Sequence, residues 1–213
     1  ASGATVIVPG NVYHFGDQAG VWSERTTPNP VCRKGEIRLQ MERAYKQSGM
    51  QTIILRAGNF IDPVERQCVL SLLYLRSLHR NRITLPGPAE TRQAMCFIDD
   101  WARAAVQLAE IRSSLGQFED IPLPGQTMSG LELQRRLEAI TGRTFKFTPF
   151  PWWLFQLVGP FWEFAREMNE MRYLYETDHA LSGQRLRTLL PDFAPTPFED
   201  VLRKMLEGAP KPA

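Results

Sequence analysis

The 213-residue sequence predicts an α/β fold organised on a parallel sheet, and three features point to it. The first is a pair of short apolar runs rich in β-branched residues, Thr5-Val6-Ile7-Val8 and Thr52-Ile53-Ile54-Leu55. Runs this short fit strands buried on both faces, as parallel strands between helices are. The second is the segment that joins them, a helix starting near Arg33 that hands over to the second run through Ser48-Gly49. The third is the polar turn after each run, Pro9-Gly10-Asn11-Val12-Tyr13 and Arg56-Ala57-Gly58-Asn59. A right-handed crossover sets both turns at the carboxyl edge of the sheet, where open α/β folds bind ligands. Asn11, Tyr13, Arg56 and Asn59 are therefore expected to face one cleft.

In chain order, the loop 16–30 carries Thr26-Thr27-Pro28-Asn29-Pro30, whose prolines fix the approach to the helix and cannot continue a strand. Along the helix, Ile37, Met41, Ala44 and Tyr45 have the spacing of a core-facing stripe. Residues 67–78 are apolar on most sides, which predicts a buried helix, and Ile83-Thr84-Leu85 before Pro86-Gly87-Pro88 reads as a strand and turn. Met95-Cys96-Phe97-Ile98 leads into Asp99-Asp100 and a helix from Trp101 to about Ile111, closed by Gly116. Acidic residues suit that helix start, so capping explains the pair better than metal or acid–base chemistry does. Ser129-Gly130-Leu131-Glu132 is a capping box opening a helix that stops at Gly142. Phe145-Lys146-Phe147-Thr148 alternates as a strand does. Thr196-Pro197-Phe198-Glu199 is a second box, with proline at the first helical position, opening a last helix that ends at Gly208.

Residues 150–164, FPWWLFQLVGPFWEF, hold three of the five tryptophans. The stretch is too short to span a bilayer, lacks the basic face of a membrane-surface helix and is broken by Gly159-Pro160. It reads as a helix roofing an apolar pocket.

Composition is that of a globular chain, 43% hydrophobic with a net charge of +2. Basic residues are nearly balanced by acidic ones and form no run, which argues against a nucleic-acid binder. Cys32, Cys68 and Cys96 are odd in number and scattered, and so are His14, His79 and His179, giving no disulfide framework and no metal site. With no basic and apolar leader in Ala-Ser-Gly-Ala, a cytoplasmic protein with no membrane partner is expected.

The succession of strand, Val-Tyr turn, proline-rich loop, KGEIRLQME helix, IILRAGNF turn and FIDDWARAA resembles the C-terminal two-thirds of an extended short-chain dehydrogenase/reductase of the NAD-dependent epimerase/dehydratase family, of an atypical kind. The resemblance runs from Thr5 to the last helix and rests on order and spacing. It implies a partial Rossmann-like parallel sheet, without the N-terminal half that carries the glycine-rich turn, plus a small C-terminal α+β substrate lobe. It places residues 1–115 in the NAD(P)-binding domain, with 60–95 contributing to the substrate side, and 116–213 in the substrate lobe. Roughly the first hundred residues of a typical member, close to half a dinucleotide-binding domain, have no counterpart. A sheet beginning there has an edge to cover, so a truncated chain is expected, completed by the preceding segment or by a homo-oligomer contact.

The family's catalytic pair is Tyr-x-x-x-Lys, the phenol moving the proton at the reacting oxygen and the ammonium lowering its pKa and holding the ribose. In the register set from Pro9 and from Glu42, Lys34 stands at the Tyr position, Arg38 at the Lys position and Pro9 at the usual Ser or Thr. The resemblance thus implies catalytic roles for Lys34, Arg38 and Tyr13, the last as a competing acid. It implies cofactor contacts from Pro9, Asn11, Arg38, Arg56 and Asn59, and substrate contacts from Asn59, Phe60, Trp152 and Trp153. NAD or NADP is the implied cofactor, held weakly by this chain alone, and a small molecule such as a nucleotide sugar the implied substrate. Without the family, Lys34, Arg38 and Glu42 read as a charge stripe four residues apart with an Arg38–Glu42 pair, Asn11 and Asn59 as turn formers, and Arg56 as the partner of Asp62 or Asp99. Two functions stay open: an oxidoreductase of the epimerase, dehydratase or reductase type with a non-standard catalytic pair, and a catalytically silent NAD(P)-binding sensor or scaffold.

Overall fold

The apolar runs do become parallel strands. In the computed structural model, which describes residues 3–207, β1 (Val6–Gly10) and β3 (Thr52–Arg56) pair in parallel, Val6 opposite Thr52 and Gly10 opposite Arg56. The helix α1 (Arg33–Gln47) crosses between them. A third strand, β7 (Phe118–Pro122), pairs parallel to the far side of β3, making a sheet ordered β1-β3-β7. β3 is central and buried at all five positions, including the polar Thr52 and Arg56 at its two ends.

The chain forms two interleaved compact units. One comprises the residues through Phe60, 94–127 and 179–196, and the other 61–93, 128–178 and the residues from Pro197. The chain thus passes between units several times rather than once near residue 115, and β7, inside the stretch expected to be the small lobe, belongs to the sheet.

In the first unit, Ile53, Leu55, Ala57, Cys96, Ile121 and Leu123 pack with Ala104 and Leu108 of α2 (Ile98–Glu110) and Leu186 of α7 (Gln184–Leu189). The loop 16–30 holds a strand that the sequence did not announce: β2 (Gly20–Trp22) pairs in parallel with β9 (His179–Leu181), and Trp22 stacks on His179 at 4.5 Å. The stripe expected on α1 is corrected. Ile37 is 52% exposed and Ala44 lies outside, whereas Gly35 and Glu42 are buried. A carboxylate can occupy the inner face because a buried cation meets it there, as described below.

The helix expected to open with Asp99 and Asp100 begins at Ile98 after Phe97, with no side-chain cap. Asp100 is instead fully buried and accepts hydrogen bonds from Arg103 Nη2 at 2.6 Å, Gln126 Nε2 at 2.8 Å, the Thr196 hydroxyl at 2.6 Å and the Thr196 N–H at 2.9 Å. Burial raises its pKa, but these donors outweigh it and hold the carboxyl below the usual range. The hydroxyl expected to cap the last helix is therefore engaged with Asp100. The helix itself ends at Glu110 and continues as a 3₁₀ turn, Arg112–Ser114, short of Gly116.

The second unit contains β5 (Arg82–Leu85), parallel to β8 (Lys146–Pro149). It also contains α3 (Gly130–Thr141), in contact with α8 (Phe198–Glu207), with Leu133, Leu137, Val201, Leu202 and Met205 all buried. Ser129 caps α3 as expected, its hydroxyl oxygen accepting from the Glu132 N–H at 3.2 Å, and Gly142 ends it in the left-handed conformation, φ 66°. Gly208 lies outside the described residues. The helix expected over 67–78 is a π-helical turn, Leu70–Tyr74, followed by a 3₁₀ turn, Leu78–Arg80; Leu70, Leu73, Tyr74 and Leu78 are buried and Leu72 faces out. The tryptophan-rich stretch forms α4 (Trp152–Val158) and α5 (Glu163–Glu170), broken at Gly159-Pro160, and α6 (Arg172–Glu176) follows. Among the described residues no helix is long and apolar enough to cross a membrane, and no cluster of three metal-ligating side chains occurs.

Candidate active site

The site is built from the carboxyl ends of β1 and β3 and the first turns of α1. After β1 the chain turns at Asn11, whose Oδ1 accepts from the Tyr13 N–H at 3.1 Å, and enters a 3₁₀ turn, Tyr13–Phe15. The Asn11 side chain thus makes the turn. Gly35 in the first turn of α1 lets the helix approach this segment, since a Cβ there would sit 2.7 Å from the Tyr13 carbonyl oxygen. Cys32 caps the helix, its sulfur accepting from the Gly35 N–H at 3.3 Å.

This approach brings Tyr13, Lys34 and Arg38 together. Burial raises the Tyr13 pKa, while Arg38 and then Lys34 pull it down, and burial prevails. At neutral pH the phenol therefore keeps its proton beside two cations and can donate it. Arg38 reaches the Met41 sulfur at 4.0 Å, and Glu42, its expected partner, turns inward.

Glu42 meets Arg56. That guanidinium is fully buried at the end of β3, with Nη1 and Nη2 donating to the two Glu42 oxygens at 3.0 and 2.8 Å. Nε and Nη2 donate to the two Asp120 oxygens at 3.0 and 2.7 Å. Nη1 also donates to the Asn11 carbonyl and lies 3.2 Å from His14 Nδ1. Burial lowers the Arg56 pKa, but the bonds and charges of the two carboxylates prevail and raise it, so the cation is permanent. Burial first, and then the Arg56 charge, lower the His14 pKa to about 3. His14 is therefore neutral at pH 7 and accepts from Arg56, so its 4.0 Å approach to Glu42 is no ion pair. Arg56, expected to meet an anionic ligand or Asp62 or Asp99, has its donors occupied within the protein. Glu42 and Asp120 were the partners that sequence reasoning missed; the signal was an acidic residue at the third position of Phe118-Glu119-Asp120-Ile121-Pro122, a run otherwise poor in polar reasons to be a strand.

Asn59, at the start of β4 (Asn59–Ile61), carries a buried side-chain Nδ2 with no hydrogen-bond partner. The neighbouring Phe60 meets Trp101 edge-on, ring centroids 6.1 Å apart. Pro9 is exposed near the end of β1. Trp152 and Trp153 belong to the second unit. Trp152 is buried with its Nε1 donating to the Pro86 carbonyl at 2.7 Å, and Trp153 points to solvent.

A parallel strand–helix–strand unit of this kind is a Rossmann-type α/β arrangement, and Tyr13, Lys34 and Arg38 lie at its carboxyl edge. The chain has the fold of the C-terminal portion of NAD-dependent nucleotide-sugar epimerases and dehydratases. Over 95% of its length it superposes on 60% of the UDP-glucuronic acid 4-epimerase from Bacillus cereus, solved with UDP-glucuronic acid and NAD, at TM-score 0.73 and 18% identity. It likewise covers 62% of a UDP-galactose 4-epimerase at TM-score 0.66 and 14% identity, and 62% of the NAD-dependent NDP-hexosamine 5,6-dehydratase TunA at TM-score 0.67 and 16% identity, again over 95% of this chain. The chain therefore spans less than two-thirds of these proteins. No protein-family model matches the sequence, and no curated protein does.

Proposed function

We propose that this chain is the C-terminal part of an NAD(P)-dependent oxidoreductase of the epimerase, dehydratase or reductase type, acting on a small carbonyl or hydroxyl substrate such as a nucleotide sugar. The observation that carries the reading is the meeting of Tyr13 with Lys34 and Arg38 at the carboxyl edge of β1 and β3. The positions of the usual Tyr-x-x-x-Lys pair hold Lys34 and Arg38, and a phenol reaches the same rim from the turn after β1. Tyr13 is the proton donor at the reacting oxygen, and the two cations stabilise the phenolate left behind.

NAD or NADP, when bound, supplies the hydride chemistry. Of the residues present, Lys34, Arg38 and the unpartnered Asn59 amide suit ribose hydroxyls and an amide group. The pyrophosphate needs a glycine-rich turn that these residues do not provide, so the chain alone should bind the cofactor weakly. Phe60 in the first unit, and separately Trp152 and Trp153 in the second, are the substrate-contact candidates.

A catalytically silent NAD(P)-binding sensor is the second reading, and the upward shift of the Tyr13 phenol favours it, because a raised pKa opposes the reverse proton transfer. Titration of the complete protein with NAD(H) and NADP(H), followed by turnover on UDP-sugars and small carbonyls, separates the two. The first reading expects turnover that Tyr13→Phe lowers by roughly 100-fold or more with cofactor affinity unchanged. Cofactor binding without turnover across the panel supports the sensor, and turnover untouched by Tyr13→Phe and Lys34→Ala removes the assigned acid–base group.

A further inference from the structure

One buried guanidinium holds the chain on both sides of Tyr13. Arg56 Nη1 donates to the Asn11 carbonyl, two residues before the phenol, and to His14 Nδ1 at 3.2 Å, one residue after it. Arg56 Cζ also lies 5.3 Å from the centre of the Phe15 ring. The turn has further ties: the Asn29 N–H donates to the His14 carbonyl at 2.8 Å, and the Ala57 N–H to the Gly10 carbonyl at 3.0 Å. Glu42, which takes both Nη atoms of Arg56, sits on α1 in the same helix as Lys34 and Arg38. The turn that bears the phenol and the helix that bears the two cations are fastened to the same group.

On the reading of Tyr13 as the proton donor, we infer that Arg56 is a positioning residue: its fork, set by Glu42 and Asp120, fixes the turn 11–15 and with it the place of the Tyr13 side chain relative to Lys34 and Arg38. Arg56 is fully buried and acts only through that turn. A guanidinium between two carboxylates is a poor way merely to fill space, because apolar side chains of similar volume are often at least as stabilising. What an apolar side chain lacks is direction. The planar fork presents its donors at fixed angles, so two carboxylates can orient it while it holds a carbonyl and an imidazole. His14 suits the last role because, neutral at pH 7, it offers a lone pair to the cation.

Two measurements on the complete protein read this grip with or without turnover: hydrogen exchange over residues 11–15, and alkaline difference absorbance with Tyr13→Phe subtracted in each background. Arg56→Lys keeps a cation for Glu42 and Asp120 but loses the fork. It should speed exchange in the turn by roughly 10-fold or more. Water then reaches the phenol, whose pKa should fall towards its ordinary value, and kcat should drop by roughly 10- to 100-fold with KM little changed. His14→Phe, which leaves Arg56 and both carboxylates in place, should move each readout the same way by less. Arg38, Lys34 and Cys32, whose charges act on the phenol, are present in both variants, so the shift reports burial. Arg185→Ala, which removes the ion pair to Glu119 of β7, is the control and should leave the titration unchanged. Should Arg56→Lys fail to fold, His14→Phe decides alone. Unaltered exchange and titration in the folded variants, or an equal shift on Arg185→Ala, overturns the inference. A shift without turnover keeps the positioning and removes the proton-donor reading, whereas turnover that needs Tyr13 with no shift removes the positioning alone.

Discussion

Two charged clusters share one helix face and have opposite fates. Lys34, Arg38 and Glu42 follow each other at four-residue spacing along α1. At the inner end Glu42 is buried on Arg56, whose guanidinium is shared among Glu42, Asp120, the Asn11 carbonyl and His14. At the outer end the charges of Arg38 and Lys34 act on the Tyr13 phenol, and neither residue is fully buried. The inner cluster places two carboxylates on one cation and joins β1, β3, β7 and α1; the outer one gathers cations around a proton donor. The difference teaches that the first holds the strand ends in register, and that the second sets two positive charges acting on a phenol that keeps its proton.

The largest effect should come from the inner cluster. Arg56→Ala leaves Glu42 and Asp120 facing each other without their cation, and should cost roughly 3–5 kcal/mol in urea unfolding. A loss under about 1 kcal/mol would mean that Arg56 does not hold the strand ends. The next effect is on pH dependence. Folded, His14 has a pKa of about 3 against an ordinary 6.5, so between those values the unfolded chain binds a proton that the folded chain does not. His14 therefore contributes full stability above pH 6.5, and that stability falls with acidification by up to ~1.4 kcal/mol per pH unit towards pH 3. Asp100, held below its usual range, adds a loss of the same sign in acid. Melting temperatures at pH 7.5 and 5 should drop less for His14→Gln than for the wild type, and an equal drop would deny His14 its place in the cluster.

The same contrast explains what the sequence disclosed. β1, α1 and β3 were legible because apolar runs, proline approach and Ser48-Gly49 each speak locally, and the caps of α3 were legible for the same reason. β7 was not, because Glu119 and Asp120 break its apolar pattern, and they are tolerated only through Arg185, at 2.7 Å from Glu119, and Arg56. The inner face of α1 was misread as apolar for the same cause, and Asp100 as a cap because its partner Thr196 is distant in sequence. β2 and β9, three residues each, are too short to show a period. That the turn after β1 comes up against the first turns of α1 could be anticipated from the strand–helix order, whereas roles for Tyr13, Lys34 and Arg38 rest on the family register alone. Arg56 could not be placed correctly, since a buried cation and a ligand-binding one are the same letter until the carboxylates around it are known.

The smallest effect should be at the outer cluster, and it decides whether the contrast holds. Lys34→Met removes one of the two cations pulling on Tyr13, so the phenol's pKa should rise further; alkaline difference absorbance, with Tyr13→Phe subtracted, reads that shift. Stability should change by less than about 1 kcal/mol, because a partly exposed lysine carries little folding free energy. If Lys34→Met instead destabilised the fold as much as Arg56→Ala while leaving the phenol's titration unmoved, both ends of the α1 stripe would be structural. The rim would then offer no tuned proton donor, and the silent-sensor reading would take its place.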